Sequence, residues 1–422
     1  MFIYDALYGR FAVPEGFDAL ILTPEVRRLS QVRLLNGLSP TISALSEIRR
    51  YSHTLGVLHL SEQLRLSDFG AAEKRAFQAA VLLHDIGTPP FGHLMEYQLK
   101  EMFGWHHEEV PVELFRSRQA PENVAHQIFA GQTTRFKREL GRAGVSRDIV
   151  EAILQRKHPL STLIFGTLDL DNLDNVARMA HGLGDSSGKS VAETIASNLD
   201  VDRAGTLRLS RTLQAYVGKW LALRRFAYET MSFDGPTVGA QAVLWRAIER
   251  ALSNGLLSRN DWDLSDEELL VRLSEHGRSR REIALEYLGR PPDLAIALQV
   301  TGTLADLHAS CRADIIRDLE DAAQQSLVGE RVLGYVVVDS GTFSRQLHFN
   351  DGGERWVEGK TSQSTILYVF RRNPKRLPHW RFEELRQGVR ERFGITEDRI
   401  MRCKFGTNDG PETQSKFNLQ TA

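Results

Sequence analysis

The stretch Leu82–His93 reads LLHDIGTPPFGH, and its residue types could do chemistry. The apolar run Ala79–Leu83 drives into His84 and Asp85, after which a glycine and two prolines end any helix. An imidazole beside a carboxylate at the end of a buried segment either caps the helix or holds something charged. Three more acids, Asp169, Asp171 and Asp174, cluster in GTLDLDNLDNVARMAHGLG. In a helix, Asp171, Asp174, Asn175 and Arg178 fall at i, i+3, i+4 and i+7, opposite an apolar stripe of Leu173, Val176, Ala177 and Ala180. Such a polar stripe is usually a solvated face. If it is buried, its carboxylates repel one another and need a counter-charge, which a divalent cation supplies. His53 shares a helix with Val57, Leu60 and Leu64 and points to the packed face, where a histidine is more often a satisfied core residue than a ligand. Two imidazoles and two carboxylates together suit a hydrolytic first-row metal with positions open for water and substrate.

The elements that must position these residues are mainly helices. Thr23, Pro24 and Gly37 bracket an expected helix in TPEVRRLSQVRLLNGL, with the threonine as N-cap and the proline at the first helical position. Further helices are expected in SEIRRYSHTLGVLHLSEQL, SDFGAAEKRAFQAAVLLHD, SRDIVEAILQR, TLQAYVGKWLALRRFAYETM, PTVGAQAVLWRAIERAL and GTLADLHASCRADIIRDLEDAAQQS. The character then changes. RVLGYVVVDSG, SRQLHFN and STILYVFRR are β-branched and aromatic, separated by turn residues such as NDGGE, and the helix WRFEELRQGVRERFG follows. The expected organisation is mostly α: a helical domain over residues 1–325 and a small α+β lobe over 326–422 with a flexible tail.

Composition narrows the partners. The chain has 422 residues, enough for a substantial core and for two domains. Lys+Arg (53) and Asp+Glu (54) nearly cancel, so no global field recruits nucleic acid or a membrane surface. Arg371, Arg372, Lys375 and Arg376 form a local basic cluster for which a solvated turn is the commoner reading than a nucleic-acid contact. Cys311 and Cys403 are too few for a disulfide framework, and the start MFIYDALYGRF lacks the plan of a secretory leader. No run approaches about 18 apolar residues, so no membrane span is expected, and the sparse cysteines point to a reducing cytoplasm.

The motifs resemble those of the HD-domain phosphohydrolases, and more closely the deoxynucleoside triphosphate triphosphohydrolases, which include bacterial dGTPases and a vertebrate enzyme. RRYSHTLGV resembles the segment that supplies the family's first ligand, here His53. HDIGTPPFGH is similar to the doublet segment, giving His84 and Asp85, and DLDNLDNVAR resembles the segment whose second aspartate is the last ligand, here Asp171. WHHEE resembles the step carrying the catalytic histidine and its acidic partner, hence His107 and Glu108, and RRFAY resembles a segment that closes on sugar and phosphates, suggesting Tyr228. The resemblance implies an HD helical core, a divalent metal, and cleavage of a dNTP to deoxynucleoside and inorganic triphosphate. It also implies a homo-oligomer and a regulatory nucleotide. Arg50, one turn before His53, and His93, after the Pro-Phe-Gly turn, are candidate phosphate contacts.

Several positions depart from the family. Thr88 stands where the vertebrate enzyme has histidine and some dGTPases have asparagine, although a hydroxyl still donates to phosphate. Asn175 replaces a tyrosine and Asn172 a phosphate-contacting lysine, with Lys219 or Arg224 as candidate compensation. Leu34 replaces a sugar-facing glutamine, so discrimination against ribonucleotides is not implied. Leu22, Arg27 and Ser30 replace residues that recognise an activating guanine nucleotide, so activation of that style is not expected. The alternatives are an HD phosphohydrolase acting on another nucleotide, a signalling molecule or single-stranded nucleic acid, and a non-catalytic nucleotide sensor. Control of dNTP pools and antiviral defence by nucleotide depletion would use the same chemistry.

Overall fold

The computed structural model describes residues 1–116, 135–303, 305–307, 311–339, 341, 344–372 and 377–406. Helices predominate, with small sheets beside them, as the sequence leads one to expect. The chain folds as two units, Met1–Arg290 with Gly341–Ser362, and Pro291–Ser340 with Gln363–Ala422.

The division differs from the expected boundary near residue 325. Strand Asp293–Thr301 lies inside the second unit's sheet, between Ile400–Phe405 and Ser364–Arg371, with Val332–Asp339 at the far edge. All these pairings are antiparallel, and helices Arg312–Ser326 and His379–Arg392 pack in the same unit. The segment Gly341–Ser362 instead belongs to the first unit, where Leu347–Asp351 pairs in parallel with Leu207–Arg208 and antiparallel with Glu354–Glu358. Arg371 of the basic cluster is a buried strand residue, and residues 373–376 and 407–422 lie outside the described residues.

In the first unit, helix Ala71–Leu83 is the central rod. The Gly70 amide donates to Glu73 at its start, and Phe77 and Ala79–Leu83 are fully buried. Against it pack Arg50–Ser61 and Arg147–Leu154, Leu170–Gly182 packs in turn on Arg50–Ser61, and the long helices Gln214–Ser232 and Gly235–Ser253 complete the unit. The helix expected from Thr23 to Gly37 is cut short. Pro24–Arg28 is helical, Leu29–Gln31 tightens to a 3₁₀ turn, and the chain then pairs sideways. Leu34 N donates to Ile48 O at 2.9 Å, Arg50 N donates to Val32 O at 2.9 Å, and the buried Asp266 carboxylate accepts from Arg33 N and Nη1. Those tertiary bonds outweigh local helix propensity. They also fix the first turn of Arg50–Ser61, which carries the site.

Candidate active site

Four helices present the chemistry-bearing side chains. Arg50–Ser61 carries Arg50 and His53, and His84 caps the C-terminus of Ala71–Leu83 with Asp85 next. His93–Phe103 carries His93 and Glu96, and Leu170–Gly182 carries Asp171, Asp174, Asn175 and Arg178. One ligand-type atom from each of His53, His84, Asp85 and Asp171 falls within 4.8 Å of the others. The first three are buried and Asp171 is partly open to solvent. Nitrogen and oxygen ligands at about 2.0–2.2 Å from one ion lie at most about 4.4 Å apart, so small shifts close this set on a cation.

The imidazole orientations support that fit. His53 Nδ1 bonds Asp174 Oδ2 at 2.6 Å, and His84 Nδ1 bonds the Val81 carbonyl at 2.6 Å. Both bonds turn Nε2 into the cluster, the arrangement in which metal-binding histidines are held by outer partners. His84 Nε2 is buried without a hydrogen-bond partner, a demand that a cation answers. The Asp85 carboxylate is held at both oxygens, by Arg50 Nη1 at 3.0 Å and by the Thr88 hydroxyl at 3.1 Å. His53, His84, Asp85 and Asp171 therefore form a set able to hold a divalent metal ion.

The electrostatics match. Burial opposes charge on His53, but Asp171 and Asp174 overcome it and lift its pKa to about 10. Burial likewise opposes charge on Asp171, and the bond to His53 and the neighbouring His84 imidazole hold its pKa well below the carboxylate range. Asp169 goes the other way, because burial and then repulsion from Asp171 push it up to about 7.

The polar stripe of Leu170–Gly182 faces inward, contrary to the usual solvated reading. Asp174 is fully buried, accepts from Arg178 Nε at 2.7 Å, and shares Arg178 with Asp5, whose carboxylate lies 2.9 Å from Nη1. This pair crosses the Arg50–Ser61 helix at Gly56, where a Cβ would stand 2.0 Å from Asp174 Oδ1 and 2.3 Å from Arg178 Nη2. The glycine of RRYSHTLGV is thus required by a close approach.

His107 meets the site through backbone contact. A Cβ on Gly87 would stand 2.3 Å from the His107 carbonyl oxygen, so the HD turn and the His107 segment touch only because residue 87 is glycine. The carboxylate on His107 is Glu96 and not the expected Glu108: His107 Nδ1 bonds Glu96 Oε1 at 2.5 Å, whereas Glu108 pairs with Arg156 at 2.6 Å on the surface. The 3₁₀ turn His107–Glu109 sends these neighbouring side chains in different directions, so the partner that the WHHEE resemblance implies does not meet His107. Glu96 also accepts from His93 Nδ1 at 2.8 Å.

Burial works against protonating His107, and Glu96 outweighs it, holding the imidazole pKa above its ordinary value. If His107 donates a proton to the leaving group, turnover should fall as pH rises through its pKa. Glu96→Gln removes the charge that holds this pKa up. The alkaline limb of the pH–rate profile should therefore move to lower pH in Glu96→Gln, and Glu108→Gln should leave it in place.

The remaining expected contacts separate. Arg50 is committed to Asp85, and Gly92, at φ +55°, leaves the space its guanidinium needs, since a Cβ there would stand 2.8 Å from Arg50 Nη2. Thr88 is buried on Asp85 and positions that ligand instead of presenting a free hydroxyl. His93 is half-exposed beside His107, with ring centroids 5.9 Å apart. Asn175 Oδ1 is buried without a hydrogen-bond partner. Lys219 is exposed and stands nine residues from Tyr228, half a turn round the helix at about 100° per residue, so it does not share Tyr228's face. Arg224 does: its guanidinium lies 4.8 Å over the Tyr228 ring and bonds Asn172 Oδ1 at 2.7 Å. Sequence reasoning missed Glu96. The His-x-x-Glu spacing from His93 was a signal for it.

Residues 50–179 match the HD domain family. The chain's matches span about 60% of the length of the first curated relatives, uncharacterized Mycoplasma proteins 24% identical to it. It is 25% identical to a metal-dependent phosphohydrolase of Cordyceps militaris, over 70% of this chain and 80% of that protein. A shorter match, 26% identical over 26% of this chain and 20% of the other, is to the deoxynucleoside triphosphate triphosphohydrolase SAMHD1 of Gallus gallus. A solved phosphohydrolase of Bacteroides thetaiotaomicron shares the fold, with a TM-score of 0.62 at 19% identity, over 87% of this chain and 99% of that one. Among the described residues no helix is long and apolar enough to cross a membrane. The four clustered residues all lie inside that matched segment, so residues 50–179 of this chain carry an HD domain together with a set able to hold a divalent metal ion.

Proposed function

We propose that the chain hydrolyses deoxynucleoside triphosphates between the 5′-oxygen and the α-phosphorus, releasing deoxynucleoside and inorganic triphosphate. The observation that carries this reading is the Glu96–His107 pair packed against the HD turn, which offers a proton donor beside the metal ligands. The short similarity to the Gallus gallus enzyme and the motif resemblance support the nucleotide class. A bound divalent cation supplies Lewis acidity to phosphoryl oxygen and makes water a better nucleophile. The protein's own residues do the rest. His53, His84, Asp85 and Asp171 hold the ion, with Arg50 and Thr88 fixing Asp85 and Asp174 fixing His53. Glu96 holds His107 Nδ1, leaving the Nε2 proton for the departing 5′-oxygen. A homo-oligomer and control by a second nucleotide belong to the same reading.

A second substrate class is favoured by one observation: Thr88 is spent on Asp85 and Lys219 lies on a far face, which removes two expected triphosphate contacts. A nucleoside monophosphate would then be the substrate. Incubating the protein with each dNTP, rNTP and nucleoside monophosphate, with Mg²⁺, Mn²⁺ or Co²⁺, separates the readings. Nucleoside with inorganic triphosphate is the expected product. Orthophosphate or diphosphate would overturn the main reading, and inertness toward every nucleotide, singly and in pairs, would favour a sensor.

A further inference from the structure

Arg345 reaches the site from a segment that chain order assigns elsewhere. Gly341–Ser362 is inserted between Val332–Asp339 and Ser364–Arg371, neighbouring strands paired up to Asp339 and Ser364, yet it folds with the first unit. Just before strand Leu347–Asp351, Arg345 Nη1 donates to the Thr167 carbonyl at 2.8 Å. Thr167 lies two residues before Asp169 and four before Asp171 in sequence. Arg345 is part-buried among charged groups, with Arg224, Asp169, Tyr228 and Asp171 all close enough to act on it. Arg224 is buried too, and its Nε has no hydrogen-bond partner.

Two guanidiniums in one part-buried place repel each other, and the carboxylates beside them do not balance them. Asp169 is spent on the Asn172 amide and backbone N–H, at 2.7–3.1 Å. Asp171 is committed to His53 and His84, and a cation there takes up its charge. The edge of the site formed by Arg224, Arg345 and Tyr228 thus carries positive charge with planar donor forks, the arrangement that takes phosphate oxygens pairwise.

We propose that Arg345, with Arg224, is a subsite for the distal phosphates of a polyphosphate chain whose first phosphate lies at the metal ligands. The proposal deepens the triphosphohydrolase reading and rests on it: it assigns recognition of chain length to a residue that the insertion delivers. A chain spanning from Asp171 to the arginines gains both ends, whereas a single phosphate gains one.

The test is calorimetric titration of the Mn²⁺-loaded full chain with orthophosphate, diphosphate and tripolyphosphate. In the wild type, affinity should climb with chain length. In Arg345→Ala, tripolyphosphate should lose roughly 10–100-fold, the loss of a charge-assisted hydrogen bond, while orthophosphate loses much less. Arg345→Lys, which keeps the charge and is the less disruptive change, should recover part of the loss. Equal losses for all three anions would overturn the subsite, as would no loss, or a wild type that does not bind tripolyphosphate. The two readings fail separately. Tripolyphosphate binding that depends on Arg345 without dNTP turnover sinks the triphosphohydrolase, and dNTP turnover with unchanged tripolyphosphate binding in Arg345→Ala sinks the subsite.

Discussion

Replacing His107 by alanine should lower turnover by about 100- to 10,000-fold while leaving the divalent metal bound. That is about 3–5 kcal/mol of barrier, a size expected when the leaving alkoxide must depart without a proton. The metal should stay because His107 is not one of the four clustered ligands. The fold should stay because the contact with Gly87 is made by the His107 backbone carbonyl, which alanine keeps. Asp85→Asn gives the contrast: it removes a ligand charge and leaves the buried Arg50 guanidinium unpaired, so metal content and stability should both drop. Metal analysis beside steady-state kinetics reads both outcomes. If His107→Ala turns over as the wild type does, the proton comes from elsewhere, and the half-exposed His93 is the next donor to test.

Gly56→Ala should destabilise the protein by about 2–4 kcal/mol, against the usual sign for a helix interior. Alanine ordinarily gains about 1 kcal/mol over glycine there. At this position the new methyl would stand on the Asp174–Arg178 ion pair, and both side chains are buried, with no solvent to retreat into. Separating a buried pair costs about 3–5 kcal/mol, which exceeds the propensity gain. The effect also reaches the metal. Asp174 holds His53 Nδ1, so displacing it frees the first ligand's ring, and outer-partner losses of this kind weaken metal binding by about 10- to 100-fold. Denaturant unfolding and a metal titration of the variant check the two halves. An unfolding midpoint above that of the wild type would contradict this account of the glycine.

Most helices of the first unit were legible from apolar periodicity, and the four residues that cluster were singled out because their short motifs resemble those of a known family. What sequence could not show came from contacts between distant segments. Helical signals after Pro24 are strong, but the buried Asp266, more than two hundred residues away, captures the Arg33 amide and side chain and ends the helix. Asp293–Thr301 carries β-branched residues, yet it stands between helices in the chain, and only its pairing with Ser364–Arg371 reveals a strand at the sheet's interior. Glu108 was expected as the partner of His107 from the resemblance of WHHEE to a family motif, whereas side-chain reach selected Glu96 on another helix. Arg345 had no motif at all, since its position depends on an insertion that folds back.

The insertion also governs how the protein can be taken apart. Because Gly341–Ser362 returns to the first unit, no single cut in the chain liberates that unit whole. A fragment ending at residue 290 or 325 would lack Leu347–Glu358, leaving the short strand Leu207–Arg208 with Asp200–Val201 as its one strand partner, the Leu209 carbonyl without the Trp356 indole, and the Thr167 carbonyl without Arg345. A protease nick in the second unit before residue 340 would leave two pieces clasped together by those same strands. Loss of activity on truncation would therefore say nothing about a separate role for the second unit.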